Sequence, residues 1–353
     1  MNTGRYSVTG ISLALIAVVF LASCERPPVD SVQRGYRGTG MELVINPRSL
    51  EESIEANMPP EPLPAVPAEG PRAGDIYQNV QVLGDMNVAE FTRLMVAITA
   101  WVSPEQGCNY CHADGNLADD SVYTKNVARA MIAMTQRINE NWQSHVSTTG
   151  VTCFTCHRGK NVPEYIWSVD PGPERASGFV AQSEQNIASQ AVGYASLPYD
   201  PFTVFLQQQA KDIRVISDTA LPTGSTRTIM DTEKTYALMM HFSNALGVNC
   251  TFCHNSRNFQ GWESGGATRV TSWHGIQMVR EVNHSFIEPT GEYLPENRLG
   301  PLGDVPKVNC TTCHQGVYKP LYGAEMAQYY PWLSRVNEAV MSSYIKGEQV
   351  GKR

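Results

Sequence analysis

The sequence predicts a mainly α fold with little β structure, built as two similar halves, and three observations predict it. Cys-x-x-Cys-His occurs four times in 353 residues, at Cys108–His112, Cys153–His157, Cys250–His254 and Cys310–His314. The residues flanking these motifs recur as two pairs. Apolar stripes of helical period run upstream of them.

Each Cys-x-x-Cys-His is the attachment signature of a c-type haem. Two thiols form thioethers to the porphyrin vinyl groups, and the adjacent His becomes an axial ligand of the iron. Two intervening residues on a helical turn let both sulfurs reach one porphyrin edge while the next residue aims its imidazole at the metal. With nine Cys and eight His in the chain, random order would produce about 0.005 copies of the motif. The expected cofactors are therefore four covalently bound c-type haems, held by Cys108, Cys111, Cys153, Cys156, Cys250, Cys253, Cys310 and Cys313, with His112, His157, His254 and His314 on the irons. Zinc also uses paired Cys-x-x-Cys, but a His directly after the second Cys in all four copies speaks against it. Eight of the nine cysteines lie in the motifs, so no pair remains for a structural disulfide.

The ninth cysteine, Cys24, closes an N-terminal pattern. Arg5 precedes an apolar run from Ile11 to Ala22 that ends in Leu21-Ala22-Ser23-Cys24. This is the layout of a bacterial lipoprotein signal, with residues 1–23 removed and a lipid placed on Cys24. An uncleaved signal anchor is the alternative, since the run is almost long enough to span a bilayer. Either way the rest of the chain lies outside the cytoplasmic membrane. Residues 24–75, with Pro59, Pro60, Pro62, Pro64, Pro67 and Pro71, form a lipid-anchored, extended proline-rich arm. The formal net charge of −7 falls to −8 without Arg5. An acidic surface excludes nucleic acid and suits basic soluble partners.

The body that follows divides into a first dihaem half at 76–165, a connector at 166–230, a second dihaem half at 231–325 and a C-terminal tail or helix at 326–353. Gly159, Pro163 and Tyr165 follow His157 at the offsets by which Gly316, Pro320 and Tyr322 follow His314. Leu94-Met95 precedes the first motif as Leu238-Met239 precedes the third. Two homologous halves explain both recurrences. Helices are predicted at Glu90–Trp101, Tyr123–Trp142, Lys234–Leu246 and Thr271–Phe286 from their apolar spacing. Each unit is then a long helix, a turn and a short helix carrying the motif.

A haem that only carries electrons has both axial positions filled, so four distal ligands are sought. Met95 and Met239 occupy equivalent places in the repeat. The second haem has two candidates, Met131 and Met134, one turn apart. Aligning Met134, Ile138, Asn139 and Trp142 with Met278, Val282, Asn283 and Phe286 pairs Met131 with Gly275. If Met131 ligates, the fourth haem lacks its counterpart; if Met134 ligates, Met278 would serve. The spare His145, His241, His274 and His284 would also allow four bis-His haems.

Four motifs in two pairs, a lipobox, a proline-rich arm and Met-bearing helices together resemble the tetrahaem cytochrome subunit of purple bacterial photosynthetic reaction centres, over nearly the whole chain from Cys24. The resemblance implies Met/His ligation by Met95, Met131 and Met239. It also implies a bis-His fourth haem that takes His145, eight residues before Cys153, as partner of His314; Met134 and Met278 are then core, and His241, His274 and His284 structural. It implies an electron carrier, not an enzyme, on the periplasmic face of the inner (intracytoplasmic) membrane. Its partners would be the reaction-centre core with its bacteriochlorophyll special pair, and a soluble c-type cytochrome or high-potential iron–sulfur protein as donor. The haems would form a wire with the third nearest the special pair, then the fourth, the second and the first. Glu105, Asp114, Asp119 and Asp120 near the first motif suggest an acidic docking patch. The rival functions are a multihaem reductase with an open iron site, and a membrane-tethered multihaem cytochrome serving a periplasmic respiratory reductase.

Overall fold

The structure is a computed structural model that describes residues 29–35, 38, 40–172, 185–207, 211–216 and 223–345. The signal segment and Cys24 lie outside these residues. Among the described residues helix dominates, with one antiparallel strand pair, β1 (Asp30–Gln33) and β2 (Glu42–Ile45).

Residues 24–75 are expected to be an extended arm; among the described residues, 59–71 run without helix or strand, but the segment ahead of them does not. There, β1 and β2 lead into α1 (Pro47–Ala56), which Asn46 caps by accepting from the Arg48 N–H and which opens on Pro47. This segment is docked. Val44 N–H donates to Asn249 Oδ1 at 2.9 Å, Asn249 Nδ2 donates back to the Glu42 carbonyl at 2.9 Å, and Leu43 packs with Val248 and Phe252. The proline stretch lies along α2 (Val88–Val102), whose Arg93 donates to the carbonyls of Leu63 and Pro64 at 2.7 Å.

The four predicted long helices are present as α2, α3 (Tyr123–Asn141), α6 (Ile229–Leu246) and α7 (Ala267–Glu281), the last continuing as a π-turn through Val282–Ile287. The short helices between α3 and α6 include α4 (Gln143–Val146) and α5 (Cys153–His157); after α7 come α8 (Cys310–His314) and α9 (Glu338–Tyr344). On α2 the buried side chains are Leu94, Ala97 and Trp101, with Phe91, Met95 and Ile98 half-buried beside them, so the expected stripe faces inward.

The same contacts recur around corresponding residues. Gly159 N–H donates to the Trp101 carbonyl at 2.8 Å, tying α5 to α2, and Gly316 N–H donates to the Ala245 carbonyl at 2.9 Å, tying α8 to α6. Asn139 accepts from Val151 N–H and donates to its carbonyl, at 2.6 and 2.9 Å; Asn283 does the same with Val308, at 2.9 and 3.0 Å. Each of these asparagines is buried and fixes the backbone two residues ahead of a motif cysteine.

Chain segments also cross between the two parts. The stretch after Met326 returns to the first part, where Tyr330 meets Trp101 edge-on at 4.8 Å and Asn139 Nδ2 donates to the Leu333 carbonyl at 2.8 Å. Between α3 and α7, Arg137 pairs with Glu281 at 2.8 Å, both side chains mostly buried, and the Trp142 indole donates to the same carboxylate. Breaking one side of such a pair strands the other charge, which costs about 3–5 kcal/mol. Arg137→Met is expected to lower the urea midpoint of unfolding, followed by far-ultraviolet circular dichroism, by a corresponding amount; an unchanged midpoint would show that the tie carries no load.

Candidate haem-binding site

The four motifs take two backbone forms. The second and fourth each occupy a single turn of α-helix, α5 and α8, entered through reciprocal caps: Thr152 N–H donates to Thr155 Oγ1 at 2.9 Å, and Asn309 N–H to Thr312 Oγ1 at 3.0 Å. Both end on a residue in the left-handed region, Arg158 (φ 52°) and Gln315 (φ 48°). The first and third begin in 3₁₀ turns, at Gly107–Tyr110 and Cys250–Phe252, and His112 and His254 N–H close back on the carbonyls of Cys108 and Cys250, each at 3.0 Å.

The imidazoles share one arrangement. Nδ1 lies 3.0 Å from the Leu117 carbonyl for His112, 2.9 Å from Lys160 for His157, 2.8 Å from Phe259 for His254 and 2.9 Å from Val317 for His314. A carbonyl only accepts, so Nδ1 carries the proton and Nε2 keeps its lone pair for a metal. The offset is five residues for the first and third motifs and three for the second and fourth. At three of the motifs burial also favours the neutral ring: desolvation lowers the pKa of His157 and His254, and takes His314 down to about 4 with His145 beside it.

The second and fourth motifs open on a shared, largely apolar cavity of about 1050 Å³, lined by Cys153, Cys156 and His157, by Cys310, Cys313 and His314, and by Met131, Met134 and Met278. Burial pushes the thiols of Cys153 and Cys310 up to about 12. The cysteines of the first and third motifs are at the surface or half-buried. One pairing departs from expectation: the sequence leaves no cysteines for a disulfide, yet Cys156 and Cys313 are joined as one. The reason is packing, because α5 and α8 lie side by side with these two sulfurs facing. A sulfur bonded to sulfur is not free to form a thioether, so attachment at Cys156 and Cys313 requires that bond to be open.

His145, on α4, is brought to the fourth motif from the first half. Its ring centre is 6.0 Å from that of His314, and its Nδ1 lies 2.9 Å from the Thr271 carbonyl, so both Nε2 atoms are free. Two imidazoles on opposite sides of one metal ion, each nitrogen about 2 Å from it, have ring centres roughly 6 Å apart. Gly275 makes the room: a Cβ there would stand 2.5 Å from His145 Cε1. Met95 and Met239 are half-buried on α2 and α6.

Of the remaining histidines, His241 is buried edge-on against Phe202 at 4.6 Å with Nδ1 3.2 Å from the Ala191 carbonyl, and His284 faces Glu288 at 3.3 Å. Two cations escape sequence reasoning because one ends a three-residue 3₁₀ turn and the other is a helix cap, neither with any periodicity. Arg298 lines the cavity and hydrogen-bonds Tyr110 of the first motif, and Arg158 reaches from the second motif toward the fourth. The acidic group near the first motif is smaller than expected. Asp120 is bound by Lys125 at 3.0 Å and Arg129 at 2.9 Å, and the Arg129 hydrogen bond holds its carboxyl well below the usual carboxylate range.

The family model of the photosynthetic reaction centre cytochrome c subunit matches residues 25–334, motifs and clamping carbonyls included. The chain belongs to this family. It is 52% identical over 341 residues to the photosynthetic reaction center cytochrome c subunit of Rubrivivax gelatinosus, covering 96% of this chain and 93% of the relative. Its counterpart in Thermochromatium tepidum is 50% identical over 322 residues, covering 91% and 79%, and that of Roseobacter denitrificans is 40% identical over 349 residues, covering 94% and 92%. The chain is thus an electron carrier of the reaction centre with covalently bound haem. Among the described residues no helix is long and apolar enough to cross a membrane.

The donor set fits haem, with paired sulfurs next to a neutral imidazole whose Nε2 is free and, at two motifs, an apolar cavity beside them. The neutral imidazoles also set a pH dependence. His314 and His145 have pKa values lowered by folding, so the unfolded chain binds more protons in acid. The contribution of His314 is complete above about pH 6.5 and is lost as pH falls from there toward about 4, and that of His145 is lost in the same direction. Urea midpoints measured between pH 7 and pH 4 are expected to fall with acidification; a midpoint that rises would contradict the burial of neutral rings.

Proposed function

We propose that the chain holds four c-type haems, three Met/His and one bis-His, and passes electrons from a soluble periplasmic donor to the photo-oxidised bacteriochlorophyll special pair of the reaction centre. The observation that carries this reading is the meeting of His145 and His314 over Gly275, because it gives the fourth site a ligand set unlike the other three. Cys108, Cys111, Cys153, Cys156, Cys250, Cys253, Cys310 and Cys313 are the attachment sulfurs, and His112, His157, His254 and His314 the proximal ligands. Met95, Met131 and Met239 complete the first three sites, and His145 the fourth.

Bound haem supplies a one-electron couple; the chain fixes ligand identity, orientation and burial around it. Met as the second ligand raises the potential relative to His, so the sites held by Met95, Met131 and Met239 would lie above the one held by His145. The recurring clamps of Asn139 and Asn283 support two homologous halves. A lipid on Cys24 would tether the chain at the periplasmic face of the inner membrane, and a c-type cytochrome or high-potential iron–sulfur protein would dock as donor near the first motif.

Flash excitation of membranes tests the function: haem oxidation should follow special-pair bleaching, and bleaching without it would overturn the reading. His145→Met should raise the potential of the haem at Cys310 and Cys313 alone; a shift at another haem would contradict the crossed ligand. Haem is also expected to hold the fold, since emptying an apolar cavity of about 1050 Å³ costs heavily at about 24 cal/mol per Å³. Chain produced without haem attachment should show a broad, low-temperature melt by circular dichroism; a cooperative transition matching the haem-loaded chain would argue otherwise.

A further inference from the structure

Arg158 follows His157, and neither haem attachment nor ligation uses it. Its side chain turns back across the contact between α5 and α8. Nε donates to the Thr155 carbonyl at 3.1 Å, and Nη2 to Asn57 Oδ1 at 3.1 Å and the Cys313 carbonyl at 3.4 Å. Nη1 is buried without a partner. Among the described residues no carboxylate pairs with Arg158, whereas the buried Lys307 has Asp304 at 2.8 Å and Arg137 has Glu281 at 2.8 Å. Asn57, 1% exposed, is neutral. A guanidinium stays protonated in proteins, so the charge is present at neutral pH.

The local geometry does not require that charge. Gln315 holds the corresponding left-handed position after His314 and donates to the Thr312 carbonyl at 3.3 Å, as Arg158 does to Thr155. A neutral amide therefore closes the same turn. What Arg158 adds is a lone cation, one residue from His157 and touching the carbonyl that precedes His314.

We propose that Arg158 is a resident positive charge that raises the reduction potentials of the second and fourth haems together. The proposal rests on the reading that haems occupy those motifs. Each reduction adds one electron and one unit of negative charge to a haem, and a nearby cation in a poorly screened interior favours that state. The first and third motifs make no contact with Arg158 among the described hydrogen bonds.

Three variants test this in the full haem-loaded chain: Arg158→Gln, Arg158→Lys and Asn57→Asp. The last keeps the arginine and places a carboxylate against Nη2. Haem content is read from the alkaline pyridine spectrum, and the potentials from an optical redox titration. Arg158→Gln and Asn57→Asp should each lower the second and fourth potentials by roughly a tenfold change in the reduced-to-oxidised ratio, about 59 mV for a one-electron couple. Arg158→Lys should retain most of the native values, and the first and third haems should not move. Unmoved potentials in Arg158→Gln or Asn57→Asp would overturn the proposal, as would an Arg158→Lys drop equal to that of Arg158→Gln, which would assign the effect to hydrogen bonding. A wild-type chain with fewer than four haems would instead overturn the reading beneath it.

Discussion

The hydrogen bond from each motif imidazole to a backbone carbonyl is the constraint on which the rest of the structure depends. A histidine free to rotate or to change tautomer would present Nδ1 as readily as Nε2. Here the carbonyls of Leu117, Lys160, Phe259 and Val317 remove that freedom. The carbonyls are themselves placed by the turns after each motif; at the second and fourth motifs those turns run through the left-handed residues Arg158 and Gln315, each followed by a glycine. Ligand chemistry is thus decided by backbone geometry several residues away, and the long helices serve to hold that geometry still.

The second consequence is asymmetry within repetition. The Asn139 and Asn283 clamps and the Gly159 and Gly316 hydrogen bonds repeat closely, so the two long helix pairs deliver their motifs in the same way. At one position they differ. α3 presents Met131 to the cavity, and the aligned place on α7 is Gly275, into whose space His145 projects. The absent side chain at Gly275 leaves the space that His145 fills, so the surroundings of the two motifs differ at this one place. Under the proposed ligation, Met and His would set different potentials at the two sites.

Much of this was legible in the sequence because it is written in period and spacing. Cys-x-x-Cys-His names its cofactor, helical stripes located α2, α3, α6 and α7, and aligning the halves set Gly275 opposite Met131 while leaving Met131 and Met134 both open as ligands. What escaped depends on long-range contact. The segment before Pro59 has little apolar periodicity, yet it pairs as β1 and β2 and docks through Asn249, a partner some 200 residues away. Cys156 meets Cys313 because α5 and α8 pack together, a proximity that no spacing rule encodes. Asp120 read as free surface charge, but Lys125 and Arg129 reach it from the next helix.

The central claim is that three irons bind Met while the fourth binds His145. The near-infrared Met–iron charge-transfer band of the fully oxidised chain, scaled to total haem, measures it most directly. The account predicts intensity equivalent to three Met-ligated haems, unchanged in His145→Ala and lost in thirds as Met95, Met131 and Met239 are replaced in turn. Absence of the band, or intensity for four haems in the native chain, would contradict it.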